Sequence, residues 1–219
     1  MTSFDINVNI NLYYIPKTQK VFHTDRGIDM KEMHLDLEIA TNFLVQLFYR
    51  TGRRYSCTRT KVGKMLAIAA FEFARKGIVL FDESVVKYGD NCGAVINGLA
   101  MLVDRDAYLS YEYVDIKNEN ELGDKVNFLD QEVTTGAFIP ENYKKTSGIP
   151  EEVQTCIKKV FSYFGGCSAP LIGRFMNDLI SLPGIINNDG TINLERISQL
   201  TTDDVKDIAE NRLVRYLFS

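Results

Sequence analysis

The chain has 219 residues, of which 45% are hydrophobic and 25% are charged, and its formal net charge is −4. This balance is that of a globular protein, so it excludes a chain that is mainly disordered. The length allows one sizeable hydrophobic core with a small appended unit. The slightly acidic charge excludes a molecule that binds polyanions over its whole surface, although local patches need separate inspection.

The lack of recognisable targeting signals and the pattern of cysteine usage together predict a cytoplasmic protein. The longest apolar stretches, such as residues 65–71, fall far short of the roughly 20 residues that a transmembrane helix needs. The N-terminus lacks the basic start and the apolar run of a signal peptide. The cysteines show neither a CxxC pair nor a tight framework spacing, so we expect thiols that fill the core. They are Cys57, Cys92, Cys156 and Cys167.

The N-terminal region has the pattern of β-structure. Residues 4–14 alternate strictly between apolar and polar side chains, which predicts a strand with one buried face. The alternating pattern ends at residues 16–18, and residues 19–24 can return as a partner strand. We therefore predict a β-hairpin or short meander over residues 1–30, although this segment could equally pair with a strand elsewhere in the chain.

Two helices are predicted next. Apolar residues recur at steps of three and four over residues 31–50 and again over residues 58–76, which is typical of amphipathic helices. Gly52 ends the first segment, and Gly77 lies where a C-terminal cap belongs.

The middle of the chain mixes short strands with one helix. Residues 78–88 and 107–116 are rich in β-branched and aromatic side chains and predict strands. A third helix is predicted over residues 92–104, although its two glycines weaken it and suggest close packing. The polar stretch 105–148 predicts an acidic, loop-rich insertion, since 12 acidic and 5 basic residues fall within positions 104–152.

Two further helices are clearly marked. Proline and two acids at residues 150–152 favour a helix start, and the apolar stripe that follows stops at Gly165-Gly166. Ser168 is a good N-cap for a second stripe, which ends at residues 182–184. Two stripes joined by a short glycine turn predict an antiparallel helical pair.

The tail predicts a turn at residues 188–190, a short helix near 193–199 and a last helix from about 202 to 217. Thr201 and Asp204 are spaced for a reciprocal helix cap.

These elements predict a mainly α protein of the α+β type, a compact helical domain with an N-terminal β-hairpin and short strands near 80–88 and 107–116. The predicted units are a hairpin or meander over 1–30, a helical domain over 31–184 that contains the acidic insertion at about 105–148, and a helical extension over 185–219.

Residues able to do chemistry are few. The only histidines are His23 and His34, and neither lies near a cysteine in sequence. His34 with Asp36 and Glu38 is a candidate metal-ligand set, but the polar first turn of a helix is the better interpretation.

Catalytic motifs are incomplete. Residues 166–170 match half of a nucleophile elbow, but proline replaces the last glycine, so we interpret Ser168 as a helix cap. Gly63-Lys64 resembles the end of a P-loop without its upstream glycine. Adjacent carboxylates such as Asp82-Glu83 point in different directions. We therefore predict no catalytic site, no metal and no cofactor.

One charge pattern stands out between positions 50 and 64, where six basic residues occur and no acid lies between Glu38 and Glu72. One interpretation is a solvated loop and helix start that pairs with the acidic insertion. The other is a surface that binds an acidic partner or a nucleic acid, although no helix-turn-helix signature supports nucleic acid. The six are Arg50, Arg53, Arg54, Arg59, Lys61 and Lys64.

Three segments carry recognisable phrases. Residues 60–70 (TKVGKMLAIAA) are similar to a basic, leucine-rich "K-L-x-K-L-L-Y" helix, and residues 80–89 (LFDESVVKYG) to "L-F-D-E…W-K-Y-G-P-V". Within residues 149–180, the stretch 163–171 is similar to "Y-G…S-A-x-x-L". In order and spacing, the three segments resemble the Panacea (SocA-like, phage-associated) antitoxin domain family over residues 38–182.

The resemblance implies a helical domain that neutralises a toxin encoded beside it by direct protein–protein binding, without catalysis. One member of the family is also an adaptor that presents its toxin to a protease, so a protease chaperone is a further implied partner. The alternative is a nucleic-acid-binding or phage regulatory protein that uses the basic run 50–64.

Lys87 and Tyr88 place a cation and a tyrosine beside a predicted turn. Such a pair forms an amphipathic contact point of the kind enriched at interfaces. The structural alternative is that Tyr88 packs on the core and Gly89 supplies a turn with positive φ. The candidate partner-binding residues are Lys87, Tyr88, Gly89, Arg50, Arg53, Arg54, Arg59 and Lys61.

Overall fold

The structure, a computed structural model, describes residues 21–22, 30–53, 57–89, 93–99 and 148–219. Within these ranges the chain forms six α-helices, two 3₁₀ turns and two small sheets. The prediction of a mainly α protein with minor β-structure is confirmed.

Helix α2 (Arg59–Arg75) lies at the centre of the fold. Every residue from 61 to 74 is buried, so neighbours must cover the helix on all sides. The hydroxyl of Thr58 caps its first turn by accepting a backbone N–H bond at 3.3 Å, and Gly77 follows it with a φ of +73°. The predicted helix over 58–76 is therefore confirmed. In the described ranges, no helix combines the length and apolar character needed to cross a membrane.

The predicted helix over 31–50 is wrong at its start. Met30–Glu32 form strand β2, and helix α1 begins only at Leu37 and runs to Arg50. The carboxylate of Asp36 sets this start because it accepts two backbone N–H bonds of the first turn, at 2.8 and 3.4 Å. His34 has a φ of +46°, a backbone conformation that no α-helix contains.

The first sheet has β2 as its middle strand. β2 pairs antiparallel with β1 (Val21–Phe22) and parallel with β3 (Ile78–Val79). β1 falls in the predicted partner strand 19–24, whereas the predicted strand 4–14 lies outside the described residues. The parallel pairing brings the chain before α1 alongside the chain that leaves α2.

The second sheet replaces the start of the predicted helix 92–104. After a 3₁₀ turn at Glu83–Val85, strand β4 (Val86–Gly89) pairs antiparallel with strand β5 (Gly93–Ile96). The helix prediction is wrong here because β-branched residues of β5 pair with β4, and Gly98 has a φ of +87°, which ends any regular helix. The predicted strand 107–116 and the acidic insertion lie outside the described residues.

Two long helices follow as predicted, α3 (Glu151–Phe164) and α4 (Ala169–Ile180). Ser168 caps α4, since its hydroxyl accepts the N–H of Leu171 at 3.4 Å. Both helices pack against α2, and α4 also packs against β5. Their extensive contacts are with these neighbours rather than with each other, so the predicted antiparallel pairing is not the main packing of either helix. Each helix buries its apolar stripe on the fully buried α2 instead.

The tail contributes two short helices to the same core. Helix α5 (Leu194–Gln199) confirms the predicted short helix. The predicted continuous helix over 202–217 is wrong, because the chain forms a 3₁₀ turn at Lys206–Ile208 and then helix α6 (Arg212–Leu217). Asn211 explains this division, since its side-chain oxygen accepts the N–H of Leu213 at 2.7 Å and starts α6 afresh. Both α5 and α6 pack against α2.

Candidate functional site

The candidate contact residues Lys87, Tyr88 and Gly89 lie in β4, which has a neighbour on both edges. β5 pairs with one edge. On the other edge, the N–H of Tyr88 donates to the carbonyl oxygen of Gly190 at 2.8 Å, and Lys87 forms a β-bridge with Thr191. The backbone of β4 is thus used within the fold, so only its partly exposed side chains remain to meet a partner.

Tyr88 and Gly89 also have structural roles. The ring of Tyr88 is partly buried and packs against the hydrophobic core. A Cβ atom at Gly89 would lie 2.8 Å from Cγ1 of Val95. Gly89 does not have the positive φ that the sequence suggests. Its need for glycine comes from close approach to β5.

The basic run over 50–64 divides between surface and core. Arg50 and Arg59 are exposed, and the guanidinium of Arg50 donates to the side-chain oxygen of Gln46 at 3.2 Å. Lys61 and Lys64 are only 4% and 2% exposed. The linear run therefore does not become one continuous cationic surface. Arg54 lies outside the described residues.

Lys61 joins the start of α2 to the end of α3. Its Nζ donates to the carbonyl oxygen of Gly165 at 2.8 Å and lies 5.2 Å from the ring centroid of Phe48. Arg53, which is exposed, lies with its guanidinium carbon 5.6 Å from the ring of Phe161. A cation beside the last carbonyls of a helix stabilises that helix end, so Lys61 has a structural role.

A buried polar cluster around Glu72 was not predicted from the sequence. Glu72 is 7% exposed and lies in α2. The hydroxyl of Tyr216 donates to its Oε2, Lys76 donates to its Oε1 at 3.0 Å, and Nζ of Lys159 lies 3.8 Å from the same Oε1. The cluster therefore joins α2, α3 and α6. A single acid within the apolar run over 65–74 was the signal that could have indicated it.

The ionisation of the cluster favours structure over catalysis. Burial by itself raises the pKa of Glu72, but hydrogen bonds from Tyr216 and Lys76 and the nearby lysine charges lower the pKa below its ordinary value. Burial, and then the neighbouring Glu72 carboxylate, raise the pKa values of Cys156 and Tyr216. The thiol and the phenol stay protonated near neutral pH, so neither is an activated nucleophile or base.

The other candidate groups have local partners. Asp36 caps α1, and the ring of His34 contacts the carboxylate of Glu32 through a hydrogen bond. Across the residues that the structure describes, no group of three or more His, Cys, Asp and Glu side chains could hold a metal ion. The described cysteines are buried and form no disulfide; they are Cys57, Cys156 and Cys167.

An exposed aromatic and basic surface lies over this cluster. Tyr163, at the end of α3, is 41% exposed, and its ring centroid lies 5.1 Å from that of Tyr216. The guanidinium carbon of Arg212 lies 5.1 Å from the Tyr163 ring, and Nζ of Lys159 lies 4.7 Å from the Tyr216 ring. Tyr163, Arg212, Lys159 and Lys76 form what we call the Tyr163 face, and the buried Tyr216 lies beneath it. The sequence does not reveal this face, because its members come from α3, α6 and the end of α2.

Comparisons of the chain with family models, with curated proteins and with solved structures found no significant match.

Proposed function

We propose that this chain is an antitoxin-like protein that neutralises a cognate toxin by direct protein–protein binding. The observation that carries the proposal is that the first segment with a Panacea-like phrase lies in the buried helix α2, and that both helices of the third segment pack directly against it. The first and third segments lie far apart in the sequence, yet they pack against each other in the fold. A chance similarity of short sequence motifs would not require this packing.

One contact joins the first and third segments through residue types that the phrases share. Lys61 of the first segment donates to the carbonyl oxygen of Gly165 in the third at 2.8 Å. Gly63 lets β5 approach α2, since a Cβ atom at that position would lie 3.1 Å from Cδ2 of Leu99 and 3.8 Å from the backbone nitrogen of Ile96. β5 in turn pairs with β4, which ends the second segment. Lys61 thus joins the first and third segments directly, and β5 connects the second segment to α2, which supports the proposal.

Co-expression tests the proposal. The product of the adjacent reading frame is induced in cells that carry this chain under a separate promoter. We expect growth to be restored and the two proteins to purify together, because neutralisation by binding requires a stable complex. A version of the gene with an early stop codon is the matched control, since it keeps the RNA and removes the protein.

Toxicity that persists beside the folded chain, or equal protection by the stop-codon version, would contradict the proposal. The adaptor role that the resemblance implies adds one measurement. If the chain presents its toxin to a protease, the toxin should disappear faster in cells that contain the chain than in cells that lack it.

A further inference from the structure

We propose that the Tyr163 face is the surface that receives the partner, and that it takes an acidic segment of the partner's chain. This inference rests on the proposed function, because it names the place and the chemistry of the binding that neutralisation requires. Three features support it: a rigid exposed aromatic ring, a local excess of positive charge and a geometry that suits a peptide better than a nucleic acid.

Tyr163 is held rigidly although it is exposed. Its ring contacts those of Phe164 and Tyr216 at centroid distances of 5.3 and 5.1 Å. The side chain of Arg212 lies over the ring and also donates to the backbone carbonyl oxygen of Tyr163. A large ring that is fixed before binding loses little conformational entropy on binding, which is the property of interface anchor residues.

The exposed charge on this face is positive. Arg212 lies over the Tyr163 ring, Lys159 lies over the neighbouring Tyr216 ring, and Lys76 contacts the same Glu72 carboxylate as Lys159. The side chains of the two lysines are 54% and 49% exposed. The carboxylate that contacts both lysines, Glu72, is itself only 10% exposed. Because the cations lie outside and the acid lies beneath them, a partner meets positive charge, which favours an acidic segment.

A short acidic peptide fits this face better than a nucleic acid does. Arg212 already covers the Tyr163 ring at 5.1 Å, so the ring is not an open platform for base stacking. The chain as a whole has a net charge of −4, which repels a long polyanion beyond the patch. A segment with only a few carboxylates beside an apolar side chain matches the local positive charge and offers its apolar group to Tyr163.

The test measures binding of a labelled synthetic peptide, in which glutamates flank a central phenylalanine, to the full chain by fluorescence anisotropy at low salt. We expect Tyr163→Ala to weaken binding by at least about tenfold, as an anchor residue does, and Lys159→Gln to weaken it about threefold, as an exposed charge does. Lys158→Gln is the matched control: Lys158 is the adjacent exposed residue of α3, but its Nζ lies 5.8 Å from the ring of Phe43. Thermal unfolding verifies that each variant folds.

Four outcomes would overturn the inference: no binding of the peptide, an equal loss with Lys158→Gln, no loss with the folded Lys159→Gln variant, or tighter binding of a DNA strand of equal charge. In the co-expression assay, variants that lose the peptide and still protect against the toxin would also overturn it, while the proposed function would stand. Peptide binding as expected without any protection would refute the proposed function alone.

Discussion

Glu72 lies in the middle of α2, surrounded in sequence by alanine and phenylalanine and only 7% exposed. An ionised carboxylate without partners at this depth would be strongly destabilising. Tyr216 and Lys76 donate hydrogen bonds to its two oxygens, and Lys159 adds a second positive charge. The carboxylate of Glu72 therefore links α2 to α3 through Lys159 and to α6 through Tyr216.

We expect Glu72→Gln to change how stability depends on pH. The folded pKa of Glu72 lies below its ordinary value of 4.5, so its contribution is fully present above that pH and is lost as the pH falls through the folded pKa. At about pH 7, Glu72→Gln should lower the free energy of unfolding by about 1–3 kcal/mol, as expected for buried hydrogen bonds to a charge. Below the folded pKa, the variant and the parent chain should converge.

Urea unfolding at about pH 7 and at a series of steadily lower pH values measures both effects. The exposed Glu151, in the first turn of α3, provides the control variant Glu151→Gln. A stability difference between Glu72→Gln and the parent chain that stays constant as the pH is lowered would show that the carboxylate charge does not matter.

At the scale of elements, β5 lies directly against α4. A Cβ atom at Gly93 would lie 2.8 Å from Cβ of Met176 and 3.1 Å from the carbonyl oxygen of Gly173. Gly93 also has a φ of +80°, where side chains are strained. The contact between strand and helix therefore depends on the absence of a side chain at this one position.

Gly93→Ala should lower the free energy of unfolding by about 2–5 kcal/mol, since backbone strain and overpacking add. Gly190→Ala is the matched control, because Gly190 has the same φ of +80° but nothing within 4 Å of the added Cβ. It should cost only the strain, about 1–2 kcal/mol. Urea unfolding measures the loss in free energy of unfolding for each variant. Equal losses would mean that close packing of β5 against α4 adds nothing to the cost of a side chain at Gly93.

At the scale of the whole molecule, the tail completes the core. Arg75 near the end of α2 donates to the carbonyl oxygens of Ile197, Ser198 and Leu200, the first two at 3.4 and 3.2 Å. Helix α6 then covers α2 and α4. A chain without this last helix would expose the faces of both.

Deletion of residues 212–219 should abolish cooperative unfolding. α6 buries Leu213, Val214, Tyr216 and Leu217, and burial of each such side chain contributes about 1.5–3 kcal/mol. Their sum is comparable to the whole stability of a typical domain, about 5–15 kcal/mol. Removal of Ser219 alone is the control and should change little. A truncated chain that still unfolds in one sharp urea transition, near the midpoint of the full chain, would contradict this expectation.

Much of the helical framework follows from the sequence by itself. The apolar stripes of α2, α3 and α4 and the stops and caps at Gly77, Gly165 and Ser168 are local signals, and the structure places these helices close to the predicted bounds. Such signals are reliable because helix hydrogen bonds and caps join residues that are neighbours in the chain.

The tertiary structure alone decided the elements and groups that depend on distant partners. β5 is a strand because β4 pairs with it, and α3 and α4 make their extensive helix contacts with α2 rather than with each other. Lys61 belongs to a run of six basic residues, yet it is buried because it meets the carbonyl oxygen of Gly165, 104 positions away. The Tyr163 face likewise gathers side chains from three helices. No local pattern encodes such contacts, because they arise only when packing brings distant segments together.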